Sequence, residues 1–174
     1  MPERKTIYII GFMGSGKSTA GKKLAELLGW TFIDIDRKIE EVAGKTIPQI
    51  FSQKGEEVFR KIESEVLKSI KTQEGTVVST GGGTPCHGDN MDYMLGSGLT
   101  VYLKMTPEQL TYRLLESTVV RPLIKNVSDE ELPEFIERVL SSREKWYNRA
   151  DIIIEGINLD INRLLSMINN QQAN

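Results

Sequence analysis

The chain has 174 residues, 22 of them basic and 24 acidic, which leaves a formal charge of −2 and a pI near 5.6. That balance offers no general basic field to a nucleic-acid backbone, no segment approaches the roughly 20 consecutive apolar residues that span a bilayer, and the single cysteine, Cys86, excludes an internal disulfide. With 39% hydrophobic and 26% charged residues and no internal repeat, residues 1–174 read as one folded domain. The polar start Met1 to Lys5 runs straight into the short apolar stretch Ile7 to Ile10, without the apolar core of a secretory signal. With the lone thiol, this fits a cytoplasmic location; charge argues against a nucleic-acid partner and the lack of a spanning segment against a membrane one, and a monomer is the default expectation.

Thr6 to Ile10 is a dense β-branched and aromatic run, so it predicts the first strand; a glycine-rich loop follows, then a helix marked by Leu24, Leu27 and Leu28 and closed by Gly29. Thr31 to Ile35 predicts a second strand carrying two acids, and Arg37 to Val42 a helix ended by Gly44. Thr46 is placed to cap a short apolar turn of Ile47, Ile50 and Phe51, with Pro48 in its first turn. From Gly55 a longer helix is signalled by Val58, Phe59, Ile62, Val66, Leu67 and Ile70 at spacings of three and four.

Thr76 to Ser79 predicts a third strand that ends at Gly81, Gly82 and Gly83, and Leu99 to Leu103 a fourth, preceded by a helix around Met91 to Leu95. Thr106, Pro107 and Glu108 supply an N-cap, a first-turn proline and a first-turn acid for a helix to about Leu115. The stretch Glu116 to Val127 has no clear period and reads as a mobile loop. Ser128 to Glu131 open a further helix reaching Trp146, Asp151 to Glu155 form a fifth strand, Leu159 to Ile168 a terminal helix, and Asn169 to Asn174 a frayed tail.

Five short apolar strands separated by helices predict an α/β fold with a parallel sheet covered on both faces, because parallel strands need crossovers and helices supply them. Ligands on such sheets bind at the carboxyl ends of the strands. The loops after Ile10, after Ile33 and after Thr80, and the long loop around Arg121, are therefore the places to look for chemistry.

Gly11-Phe12-Met13-Gly14-Ser15-Gly16-Lys17-Ser18-Thr19 fits the phosphate-binding pattern of glycine, four residues, glycine, lysine, then serine or threonine, between a strand and a helix. The glycines let backbone N–H groups turn towards phosphate oxygens, and the helix start adds a positive dipole end. Lys17 would reach the β and γ phosphates and the Ser18 hydroxyl would bind Mg²⁺. Asp34 and Asp36, two apart at a strand's end, could point to one side while Ile33 and Ile35 point to the other, one acid for metal and one for a substrate hydroxyl; the plainer alternative makes Asp36 only the N-cap of the next helix.

The triplet Gly81 to Gly83 allows backbone to approach a ligand where a side chain would block it, although a turn alone would also accommodate it. Arg60, Arg121 and Arg143 cannot be told from surface arginines by composition; Arg121 stands out because its loop could close and bring a charge to a transferring phosphoryl group. Cys86 and His87 have no second ligand pair at metal spacing and read as structural, and Trp30 and Trp146 read as core or pocket wall rather than as a base-stacking platform.

Taken in order, Gly11 to Thr19, Phe32-Ile33-Asp34-Ile35-Asp36, Gly44 with Thr46-Ile47, Ile50-Phe51, Gly55-Glu56, Phe59-Arg60 with Glu63, the glycine triplet, Arg121-Pro122-Leu123, and Arg143 with Tyr147 and Ala150-Asp151 resemble the shikimate kinase family over most of the chain. The resemblance implies a P-loop three-layer sandwich, like that of the nucleoside monophosphate kinases, with strand order 2-3-1-4-5. It implies transfer of the γ-phosphoryl of ATP to the 3-hydroxyl of shikimate, a step toward chorismate and the aromatic amino acids. Carried over residue by residue, it places ATP on Gly14, Ser15, Gly16, Lys17, Ser18, Thr19 and the lid residue Arg121. Shikimate falls to Asp36, Arg60, Arg143 and the Gly82 backbone, and Mg²⁺ to Ser18 and to Asp34 through water. Catalysis falls to Lys17, Asp36 and Arg121, the substrate-binding part to about 34–61 and the lid to about 116–128. The chain departs from the family pattern at Thr84 to Asp89, at Ile124 and at Glu144 to Trp146.

Chemically the assignment is coherent: shikimate carries a carboxylate and three hydroxyls, and arginine forks match carboxylates while an aspartate accepts from hydroxyls. The competing readings are a related P-loop kinase for another hydroxylated acid such as gluconate, a nucleoside monophosphate kinase, and a nucleotide-binding regulatory module without turnover. Carboxylate-binding arginines without a base-recognition element count against the second, and the joint presence of Lys17, Ser18, Asp34, Asp36 and Arg121 against the third.

Overall fold

The computed structural model describes residues 5–70 and 75–173; the polar amino-terminal run up to residue 4, the link 71–74 and Asn174 lie outside these. Five strands form one parallel sheet: β1 (Thr6–Ile10), β2 (Thr31–Asp34), β3 (Thr76–Ser79), β4 (Leu99–Lys104) and β5 (Ile152–Glu155), in the order β2-β3-β1-β4-β5. Seven α-helices connect or flank them: α1 (Lys17–Leu28), α2 (Ile35–Ala43), α3 (Ile47–Ser69), α4 (Asn90–Ser97), α5 (Pro107–Glu116), α6 (Leu132–Tyr147) and α7 (Ile161–Ala173).

The central strand explains the layering. All five residues of β1 are buried, and their alternation feeds two cores. Ile7 and Ile9 pack with Ala20 and Leu24 of α1 and with Leu164 and Ile168 of α7, whereas Tyr8 and Ile10 pack with residues of α2 to α6 on the opposite face. Gly98 admits β4 to this arrangement, since a Cβ there would lie 2.6 Å from the Thr6 carbonyl oxygen and 2.7 Å from the Tyr8 ring. The far edge is held by a side-chain clasp: Asp151 Oδ2 accepts from both the amide and the hydroxyl of Thr100 at 2.9 Å, and Asp151 N–H donates back to Thr100 Oγ1 at 2.9 Å.

Local signals set the helix starts. Thr46 and Thr106 each form a capping box with the glutamine three residues on, and proline follows in the first turn of both α3 and α5. The short turn and the long helix expected on either side of Gly55 are one continuous helical element kinked there, where φ is 81° and only glycine is relaxed.

Several boundaries differ from expectation. The second strand ends at Asp34 rather than Ile35, because the Asp34 side chain accepts from the amides of Asp36 and Arg37 and so caps α2, which begins at Ile35. Asp36 is thus in the first turn of the helix and is not its cap. Ser128 and Glu131 bond reciprocally in a turn that precedes α6, so that helix starts at Leu132, beside Pro133. The tail read as frayed is helical as far as Ala173. Within the aperiodic loop, Pro122–Ile124 form a single 3-10 turn, and another at Thr84–Cys86 follows the glycine triplet.

Asp151→Ala removes the acceptor of two hydrogen bonds at the β4–β5 edge and should cost about 2 kcal/mol. Urea denaturation is expected to show a lower midpoint at unchanged slope; an unchanged midpoint would show that the clasp contributes nothing net.

Candidate active site

The phosphate loop follows β1 at the carboxyl edge of the sheet. Gly16, with φ 89°, stands immediately before α1 and turns the chain into the helix in a conformation that a side chain would strain. Lys17 is buried at the first position of α1, and its ammonium donates to the Phe12 carbonyl at 2.8 Å, folding the side chain back over the loop. Burial pushes the Lys17 pKa down to about 8, opposed by the negative charges of Asp36 and Asp34 and assisted by Arg121 and Arg143.

Sheet register assembles the next layer. Asp34 pairs with Ser79 across β2 and β3, and the start of α1 brings Ser18 beside both. The Ser18 hydroxyl donates to Asp34 Oδ2 at 2.6 Å and lies 3.2 Å from Ser79 Oγ, while Asp34 Oδ1 is occupied by the amides that it caps. Asp36 is free of such a duty. Its carboxyl faces the cleft; the residue as a whole is exposed, but desolvation of the carboxyl by the cleft walls raises its pKa to about 6, with the charges of Asp34 and Glu63 adding to the rise and those of Lys17 and Arg121 opposing it.

The glycine triplet is tightly enclosed. A Cβ on Gly81 would fall 2.9 Å from Glu63 Oε1 and 3.2 Å from Asp36 Oδ1; on Gly82, 3.2 Å from Arg143 Nη1; on Gly83, 2.6 Å from the Arg60 guanidinium. These glycines therefore make room for the charged side chains around them. Arg60 bonds Glu63 at 2.9 Å and Glu56 at 3.3 Å. Arg143 lies with its guanidinium 5.5 Å from the Phe12 ring, and its Nη1, like Arg121 Nε, is buried without a hydrogen-bond partner. Tyr147 donates to the Gly82 carbonyl at 2.5 Å and fixes the triplet.

Two cavities meet here. One, of about 630 Å³, is bounded by Gly14, Gly16, Lys17, Ser18, Thr19, Asp34, Asp36 and Arg121; the other, of about 270 Å³, by Asp36, Arg60, Glu63, the triplet, Arg121 and Arg143, with an apolar wall of Ile47, Phe51, Phe59 and Leu123. A third cavity, of about 470 Å³, continues from Ser15, Gly16 and Thr19 to Arg113, Asn158 and Leu159. Every residue that the sequence assigned to ATP, shikimate or metal thus lines one of these spaces. The sequence reading gave no role to Glu63, Tyr147 or Arg113. Glu63 stands on the apolar stripe of α3, an anomaly visible in the sequence; Arg113, which donates to the Gly14 carbonyl at 3.4 Å, carries no such signal.

The family model described as shikimate kinase matches residues 13–169. The chain belongs to the shikimate kinase family. It is 45% identical over 151 residues to the shikimate kinase of Parabacteroides distasonis, covering 87% of each chain, and 49% identical over 150 residues to that of Azobacteroides pseudotrichonymphae, covering 86% of this chain and 88% of the other. Among solved structures, the shikimate kinase of Acinetobacter baumannii in complex with shikimate superposes with a TM-score of 0.88 at 33% identity, covering 98% of this chain and 96% of that one. Family membership makes the chain an ATP-dependent phosphotransferase with an alcohol acceptor and agrees with the observed strand order. Among the described residues no helix is long and apolar enough to cross a membrane, and no cluster of three or more His, Cys, Asp or Glu side chains could hold a metal.

The depressed Lys17 pKa gives a pH dependence with a definite sign. Below about 8 the free protein holds Lys17 charged for phosphate; above it the proton must be regained on binding, so ATP affinity should fall as pH rises from 7.5 to 9. Calorimetry in buffers of different ionisation enthalpy should show proton uptake with ATP at pH 9. Affinity independent of pH over that range, without uptake, would separate Lys17 from the phosphates.

Proposed function

We propose that the larger cavity takes the phosphates of ATP, that the arginine-lined cavity takes shikimate, and that the γ-phosphoryl passes to the shikimate 3-hydroxyl where the two cavities meet. The observation that carries this reading is the shared wall: Asp36, Arg121, Gly81, Gly82 and Met13 border both spaces. A donor phosphate on Lys17 and an acceptor hydroxyl on Asp36 would face each other there.

Asp36 accepts the hydrogen bond of the attacking hydroxyl and takes its proton. Its pKa near 6 leaves it ionised at neutral pH yet more basic than an ordinary carboxylate. Lys17 and Arg121 hold the negative charge of the transferring group, so the protein contributes alignment and charge more than covalent chemistry. Arg143, with a buried unpaired N–H, and Arg60 grip the carboxylate. The Gly82 backbone carries no side chain that would keep the ring from Met13 and Arg143.

The hard oxygen donors of Ser18 and Asp34 fit Mg²⁺, which needs few protein ligands when phosphates and water complete its sphere. When bound, it would neutralise charge on the phosphate oxygens. The third cavity is placed to receive the nucleoside, beside Arg113 and Asn158. The segment 116–128 serves as the lid: Val119 and Val120, both well exposed, stand at the cavity mouth beside Arg121, and their burial on closure would help exclude water. The substrate part is 34–61, completed by the triplet and Arg143. One chain supplies both cavities, so no second copy is needed to build the site; the enzyme is proposed to act as a monomer in the cytoplasm on ATP and shikimate, without nucleic acid or membrane.

The first experiment is a coupled ADP-release assay with Mg·ATP and shikimate, run beside gluconate, AMP and a no-acceptor control. Shikimate-dependent release is expected; release only with another acceptor would reassign the smaller cavity. Asp36→Asn should lower kcat by roughly 10²- to 10⁴-fold with ATP affinity nearly intact, and a strong loss of ATP affinity would put Asp36 on the nucleotide side. Arg143→Ala should raise the shikimate KM by roughly 10- to 100-fold, with little change in the KM for ATP.

A further inference from the structure

Glu63 is a wholly buried carboxylate, which is costly unless every oxygen is served. Arg60 Nη1 donates to Oε2 at 2.9 Å. The other oxygen, Oε1, accepts from the Thr84 hydroxyl at 2.6 Å, and Thr84 is itself wholly buried. The Thr84 carbonyl accepts from Asn90 Nδ2 at 2.9 Å, and Asn90 Oδ1 accepts from the hydroxyl of Ser64 at 2.8 Å, the residue that follows Glu63 in α3. A closed ring therefore runs from Glu63 through Thr84 and Asn90 to Ser64 and back along the backbone. From it the Arg60 guanidinium reaches into the wall of the smaller cavity.

From this ring we infer that Thr84 is a positioning residue for the acceptor site, holding the Glu63 carboxylate so that Arg60 presents its guanidinium to the substrate. The inference rests on the reading that the smaller cavity takes shikimate. The physical reason is competition for donors. Arg60 is also drawn outward by Glu56, which is about half exposed. Without the Thr84 hydroxyl, Glu63 Oε1 is left buried and unpaired and can recover a partner only by recruiting a second N–H from Arg60, which takes that N–H from the substrate. Gly81 permits the arrangement, because a Cβ there would lie 3.0 Å from Thr84 Oγ1 as well as against Glu63.

Thr84→Val keeps the shape and deletes the donor. The expected result is a shikimate KM raised roughly tenfold, with kcat and the KM for ATP near wild type, and Thr84→Ser restoring the wild-type value. A general loosening of the fold would move both KM values, so the split between substrates separates positioning from structure. An unchanged shikimate KM in the Val variant, equal rises in both KM values, or a Ser variant as impaired as Val would each overturn the inference while leaving the proposed function standing. Wild-type protein that releases no ADP with shikimate would overturn both. Should the Val variant not fold, Ser64→Ala opens the same ring from α3 and is expected to raise the shikimate KM alone; no rise would overturn the inference.

Discussion

The constraint on which the site depends is the absence of side chains at Gly81, Gly82 and Gly83. At each position the volume that a Cβ would fill is already approached by a charged or polar group: Glu63 and Asp36 at the first, Arg143 at the second, Arg60 at the third. These four side chains come from the neighbouring helices α2 and α3 and from the distant α6, and they converge around one bare stretch of backbone at the end of β3. Backbone of this kind needs an anchor, and Tyr147 supplies it through the Gly82 carbonyl while Thr84 bonds back to Gly81 through its amide. The β1–β3 pairing in turn brings the triplet alongside the phosphate loop.

Concentrating charge in this way alters the groups themselves. Lys17 and Asp36 are each shifted towards neutrality by desolvation, and each opposes the other's shift through its charge. A lysine near 8 and a carboxyl near 6 leave both ionised over a narrow interval around neutrality, as the proposed roles of phosphate clamp and proton acceptor require. The two acids of the strand end are separated by what else they bond. Asp34 spends one oxygen on capping α2 and the other on Ser18, so it is fixed and suited to orienting a metal or its waters; Asp36, released from capping, faces the cleft.

Much of this was legible in the sequence where a local rule coincides with the global fold. The phosphate loop is such a case, because glycine spacing, the preceding strand and the following helix all express one backbone path. So are the helix starts at Thr46 and Thr106, where capping boxes are written in four residues. The end of β2 was not, because alternation through Ile35 and capping by Asp34 predict different boundaries, and the capping hydrogen bonds win. The tail was misjudged for a related reason: polar composition suggested fraying, while Leu164 and Ile168 anchor α7 firmly enough for the helix to reach Ala173. Strand order and the grip of Arg60 and Arg143 on one cavity came from family resemblance, since no period in a single sequence encodes which distant helices face each other.

The arginines show why composition alone could not rank them. Arg60, Arg121 and Arg143 are chemically identical, and their difference lies in what already satisfies them. Arg60 is balanced by two glutamates, one buried and one exposed, so it is held in a set direction at the cost of part of its positive field. Arg143 and Arg121 keep buried N–H groups without partners, a state that is unfavourable in the free protein and is relieved when an oxyanion arrives. The site therefore combines one arginine whose geometry is fixed in advance with two whose hydrogen bonding is left unfinished. On the proposed function, a carboxylate and a phosphate would complete them, and because Arg121 lies in the wall that the cavities share, filling one side would alter the electrostatics felt by the other.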